Sequence, residues 1–176
     1  MNLVPRRLPP YRSLVQSVIY QQLSGKAAAT ILRRFEALFS SDGFPTPEQV
    51  LATDVARLRS AGLSGSKARY VRDIAQKAIE GLVPALDECD QMSDDELVAR
   101  LTTITGVGRW TVEMFLIFNL GRPDVLPAHD LGVRKGFALA YRKRQLPSPE
   151  RLERFGERWR PYRTTAAWYL WRATDA

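Results

Sequence analysis

The stretch that decides the reading is ITGVGRWTVEMFLIF, residues 104–118. Two glycines flank a valine, an arginine and a tryptophan follow at once, and the chain then runs apolar for most of three helical turns. A helix beginning at Gly108 leaves several amide N–H groups without intrahelical acceptors. Glycine lets the backbone turn sharply and come close to a ligand, and a helix N-terminus carries partial positive charge. A phosphate oxygen satisfies all of this at once, and Arg109 can add a second, salt-sensitive contact. The plainer alternative, an ordinary interhelical turn followed by a solvated arginine, fits the same spacing.

Working outward, helix signals recur along the chain and strand alternation is almost absent. YRSLVQSVIYQQ, residues 11–22, sets Leu14, Val15, Val18 and Ile19 on one face, and Ser24 can cap a second helix reaching Phe39. Thr46-Pro47-Glu48-Gln49 combines a cap, a proline at the first helical position and a capping-box glutamine. Asp54 opens a short helix that Gly62 can end, and residues 66–80 repeat the amphipathic pattern and stop at Gly81. A second capping box, Ser93-Asp94-Asp95-Glu96, leads to Leu101, and Gly121 can terminate the opening stretch. Further helices are expected at 130–141, 148–159 and 162–173. The fold class is all-α, about ten helices in two lobes with a groove between them. Residues 82–92, with a proline and several acidic side chains, are the expected link between the lobes.

The chain has 176 residues and is long enough to bury a real core. One cysteine, Cys89, and one histidine, His129, cannot assemble a disulfide, a structural zinc site or an iron–sulfur cluster. No segment reaches the length and apolarity of a membrane span, and the amino terminus has no signal-peptide core, so a soluble, cytoplasmic protein is expected. The net charge of +7 favours a polyanionic partner.

Next along the chain, DVLPAHDLGVRKGF, residues 124–137, brings Asp130 through a proline-containing loop to the start of a helix. Taken alone, Asp130 reads as a helix cap. Taken with L-x-x-I-x-G-V-G-R-W-T before it, the segment resembles the helix-hairpin-helix, Gly/Pro-rich loop and aspartate signature of the DNA glycosylase superfamily that carries it. The resemblance extends to YRSLVQSVIYQQLSGKAAATI, AGLSGSKARYVRDIA and ERWRPYRTTAAWYLW, nearly the whole chain, and is greatest to the 3-methyladenine DNA glycosylase II group of alkylbase glycosylases. Set beside those members, a compact form is expected that starts directly with the helical lobes, without the amino-terminal β-domain that some of them carry. The resemblance implies a single compact domain over residues 1–176, a helix-hairpin-helix at about 96–120 that holds duplex DNA through backbone phosphates, and a catalytic loop and helix over 121–141.

It also implies roles for particular residues. Asp130 takes the catalytic position, stabilising the cationic sugar of an oxocarbenium-like transition state and able to act on the attacking water. An alkylated purine already carries positive charge and leaves without a strong general acid, so the neighbouring His129 need not act. Trp110 stands where strand-cutting members carry a Schiff-base lysine, which implies base release to an abasic site with no lyase step. Trp110 and Trp171 line the base pocket, with Met114 one turn on from Trp110 where some relatives have an aromatic; Trp159 and Trp168 read as core. Gly106, Val107, Gly108, Arg109 and Thr111 belong to the phosphate-binding hairpin, where a structural Na+ or K+ can sit on the backbone of Ile104 and Gly106. No cofactor and no side-chain metal site are expected. The turn Gln22-Leu23-Ser24 matches the intercalating loop, Gln22 or Leu23 filling the gap left by the flipped base. Lys67 and Arg69 can track phosphate or form a solvated face. The expected partner is double-stranded DNA bearing alkylated bases such as 3-methyladenine or 7-methylguanine. The expected state is a monomer, at the nucleoid if the source is a bacterium. A non-catalytic helix-hairpin-helix binding module and a glycosylase for another damaged base are the alternatives.

Overall fold

The computed structural model describes residues 4–39 and 43–174. Eleven α-helices follow one another among these residues: α1 (Pro10–Tyr20), α2 (Gly25–Glu36), α3 (Pro47–Ala52), α4 (Val55–Ser60), α5 (Gly65–Ile79), α6 (Leu86–Gln91), α7 (Asp94–Leu101), α8 (Arg109–Met114), α9 (Leu131–Ala140), α10 (Pro149–Gly156) and α11 (Arg163–Arg172). No strand occurs among the described residues, so the chain is all-α.

Local chemistry starts most of these helices where expected. The Ser24, Asp54, Ser93, Asp130 and Ser148 side chains each accept the backbone N–H three residues on, and Thr46 and Ser93 form complete capping boxes. The helix expected from residue 66 begins one residue earlier, at Gly65, because Ser64 is the cap whose hydroxyl accepts the Lys67 amide. The second helix ends at Glu36, short of Phe39.

The chain divides into two compact units, residues 7–112 and residues 1–6 with 113–176. In the first, α5 packs against α1, α3 and α4. Leu14, Val15, Val18, Ile19, Phe35, Leu58, Val71 and Ile74 are fully buried there, the α1 face being the one read from the spacing of its apolar residues. In the second, α9 and α11 pack together over Leu126, Val133, Phe137, Leu152, Ala167 and Leu170.

The expected link at residues 82–92 is not where the units divide. That segment forms α6 inside the first unit, anchored by the fully buried Cys89. Arg100 fastens its approach, donating to the carbonyls of Gly81 and Leu82 at 2.6 and 2.8 Å and to Glu88 at 2.7 Å. Proline and acidic residues read as a linker, but a buried thiol and one arginine collecting two carbonyls make it fixed structure. The boundary falls instead between Val112 and Glu113, within α8. Beyond α8 the chain widens into a π-helical turn, Phe115–Leu120, closed by Gly121 in the left-handed conformation.

Candidate active site and nucleic-acid interface

Asp130 is both the cap its sequence context suggests and part of a side-chain pair. Its Oδ1 accepts the Val133 amide at 2.8 Å and the Trp171 indole N–H at 2.8 Å. Gly132 allows this meeting, because a Cβ there would press on Trp171 Cδ1 at 2.9 Å and on Asp130 Oδ1 at 3.0 Å. The far face of the indole is backed by Phe118 in the π-helical turn, the rings stacked with centroids 5.8 Å apart. A half-buried carboxylate is thus held by a backbone donor and by an indole whose own ring is fixed. His129 beside it is exposed.

The loop that delivers Asp130 is pinned to the start of α11. Asp124 Oδ1 accepts the Arg163 backbone and Nε donors at 3.2 and 2.7 Å, and Arg160 donates to its Oδ2 at 2.8 Å. Burial pushes the Asp124 carboxyl up, but the hydrogen bonds and charge of Arg163, helped by Arg160, outweigh it and hold the carboxyl below its ordinary value. The buried Thr164 hydroxyl donates to the Arg122 carbonyl at 2.7 Å and accepts the Val125 amide at 3.0 Å.

In the other unit, the hairpin between α7 and α8 is built from its glycines. Gly106 has φ +85°, and a Cβ there would run into the Tyr70 ring, so the fold itself requires glycine. Asp73 accepts the Thr105 amide at 2.7 Å, and Val107 turns inward, 2 % exposed, with its amide on the Ile104 carbonyl at 3.0 Å. Gly108 differs from Gly106. It is exposed, and a Cβ there would meet no protein atom within 4 Å. Arg109 and Trp110 after it are exposed as well, Trp110 at 44 %, whereas Met114 is half-buried. Thr111 is buried and its hydroxyl accepts from Gln21 at 3.3 Å, so its side chain, like that of Val107, is a support of the hairpin and not a surface contact.

The turn after α1 presents Gln22 and Leu23 to solvent, and Gln22 has φ +57°. A left-handed non-glycine residue costs on the order of 1–3 kcal/mol and needs neighbours that over-determine it. Those neighbours are Lys67 and Gln21. Lys67 Nζ donates to the carbonyls of Ile19 and Gln21 at 2.7 and 2.6 Å, so it closes the end of α1 and does not track phosphate. Gln21 Nε2 reaches the Gly106 carbonyl at 3.1 Å. Ser24 is exposed and serves as the cap of α2, and the exposed Arg69 leans back on Ser66 at 3.3 Å. Trp159 packs among Phe137, Tyr141 and Phe155 as core; Trp168 is half-buried, edge-on to Tyr169.

The glycine hairpin and the loop that delivers the held aspartate both lie within residues 15–161, which match the family of HhH-GPD superfamily base excision DNA repair proteins. The chain belongs to this superfamily. Among HhH-GPD relatives, "DNA-3-methyladenine glycosylase 1" of Schizosaccharomyces pombe is 42% identical over 165 residues, covering 94% of this chain and 72% of that protein. The "putative DNA-3-methyladenine glycosylase YfjP" of Bacillus subtilis is 32% identical, covering 94% of this chain and 59% of its own length. The solved S. pombe 3-methyladenine DNA glycosylase in complex with abasic DNA superposes with a TM-score of 0.88 at 40% identity, over 100% of this chain and 87% of that one. DNA-3-methyladenine glycosidase from Bacillus halodurans gives 0.85 at 36% identity, over 97% and 77%.

Proposed function

We propose that this HhH-GPD protein is a monofunctional DNA glycosylase of base excision repair that flips out alkylated purines such as 3-methyladenine and 7-methylguanine and hydrolyses their N-glycosidic bond. The observation that carries the reading is Asp130, a half-buried carboxylate held by the Val133 amide and the Trp171 indole at the start of α9. Departure of the base leaves positive charge on the deoxyribose, and a preorganised carboxylate lowers that barrier without rearranging. The same group can orient the attacking water. A cationic alkylated base is a good leaving group, so one carboxylate suffices. Trp110, in place of a lysine, supports hydrolysis without a covalent imine. Several relatives are named DNA-3-methyladenine glycosylases, in agreement with this substrate class.

Double-stranded DNA is the partner, held by a monomer where cellular DNA is, the nucleoid if the source is bacterial. The exposed amide end at Gly108 and the Arg109 cation are the phosphate contacts, and Gln22 fills the vacated position in the stack. The Ile104 carbonyl accepts the Val107 amide and the Gly106 carbonyl accepts from Gln21, and a carbonyl oxygen has two lone pairs, so the hairpin backbone is where a structural Na+ or K+ would sit, without any catalytic duty for it. Because Asp130 does cap α9, a DNA-binding module without chemistry is the second reading.

Asp130→Asn separates the two, since asparagine keeps an Oδ1 to accept from Val133 and Trp171 and is an equally good cap. On methylated duplex DNA the wild type is expected to release free alkylpurine, and the variant to lose on the order of 10²–10³ in rate while binding DNA as well or better, because a charge that repels phosphate is gone. Release unaffected by the substitution would remove Asp130 from the mechanism. No covalent complex should be trapped with borohydride.

A further inference from the structure

The exposed Gln22 turn and the glycine hairpin are far apart in sequence but physically joined. Lys67 Nζ bonds the carbonyls of Ile19 and Gln21, the second belonging to the peptide that leads directly into Gln22. Gln21 then reaches across with its side-chain amide to the Gly106 carbonyl at 3.1 Å and the Thr111 hydroxyl at 3.3 Å. Gly106 is in the turn of the hairpin and Thr111 is buried in the first turns of α8. An ammonium at the carbonyl end of α1 is also favoured by the helix dipole. Two side chains therefore fix the turn at two points, its peptide plane to α5 and its flank to the hairpin, while Gln22 holds an unfavourable left-handed conformation.

We propose that Lys67 and Gln21 are positioning residues for base extrusion, a strut that keeps the intercalating Gln22–Leu23 turn in register with the phosphate-gripping hairpin. This rests on the glycosylase reading above, and the test separates the two. A hairpin grips phosphate wherever it lands; a wedge opens a base step only if it meets the duplex at a fixed offset from that grip. Without the strut the protein still binds DNA but extrudes a paired base poorly. A lesion opposite an abasic-site analogue, already unpaired, escapes most of that penalty.

The test compares wild type with Lys67→Met and Gln21→Met in single-turnover release of 7-methylguanine from two duplexes, one with cytosine and one with an abasic-site analogue opposite the lesion. Unstacking of a 2-aminopurine beside a paired site, measured on binding, reads extrusion without any chemistry. Both variants are expected to lose roughly 10–100-fold on the paired lesion and no more than about threefold on the unpaired one, with little 2-aminopurine signal and nearly unchanged affinity for undamaged duplex. Equal losses on the two duplexes, or full activity on the paired one, would overturn the proposal. Should Lys67→Met prove unfolded by its melting curve, Gln21→Met, which leaves the Lys67 contacts in place, decides alone. If wild type releases no base yet unstacks 2-aminopurine and the variants do not, the strut stands and the glycosylase reading falls.

Discussion

The Oδ1 atom of Asp130 receives both the Val133 amide and the Trp171 indole N–H, so one residue is at once a helix cap and a held carboxylate. Capping was legible in the sequence, because it depends on neighbours three residues away. The indole was not, because Trp171 lies 41 residues further on and nothing local in ERWRPYRTTAAWYLW distinguishes a donor to Asp130 from core packing or a base-stacking wall. Trp171→Phe separates these roles: the phenyl ring keeps a stacking face toward Phe118 but has no N–H. The expected outcome is a fall of roughly 10-fold in single-turnover base release, the worth of one hydrogen bond to a charged group, with DNA affinity nearly unchanged. Full activity in Trp171→Phe, with loss only in Trp171→Ala, would make the ring rather than the donor the working part.

At the scale of the element, the hairpin shows why two glycines in one short motif need not have one reason. Gly106 answers to the fold: its positive φ and the Tyr70 ring beneath it exclude any Cβ. Gly108 has open space around it, so nothing inside the protein requires its side chain to be missing. Gly106→Ala should therefore cost about 2–4 kcal/mol of stability, seen as a lower melting temperature, from left-handed strain and overpacking together. Gly108→Leu should leave the melting temperature nearly unchanged and weaken binding to damaged and undamaged duplex alike, because phosphate contacts do not read bases. A loss confined to damaged DNA would place Gly108 at the base and not at the backbone. Sequence spacing revealed the motif but could not divide these duties, since Tyr70 approaches from α5. For the same reason Lys67 read as a surface cation. Its partners, Ile19 and Gln21, are carbonyls at the end of another helix, and backbone acceptors leave no trace in composition.

Across the whole molecule, most helices were readable because capping residues and apolar spacing are local, whereas the division into units was not. It depends on which buried groups share a core. The unit carrying Asp130 is also the one whose loop is fastened by charge, through Asp124 to Arg160 and Arg163, and this gives stability a predictable response to acid. The Asp124 carboxyl, opposed by burial but held down by Arg163 and Arg160, titrates below its unfolded value of about 3.9. A depressed folded value means that stability is fully present above the unfolded value and is lost as pH falls through the folded one. Asp124→Asn removes the charge but leaves an acceptor, so at neutral pH it should cost about 1–2 kcal/mol, or roughly 2–8 °C in melting temperature. Below pH 3 wild type and variant should converge, because the wild-type carboxyl is then losing its charge too. The measurement is a series of melting curves for both proteins from pH 7 downward. A gap that stays constant through the acid range would mean that Asp124 holds the loop by hydrogen-bond geometry alone and not by its charge.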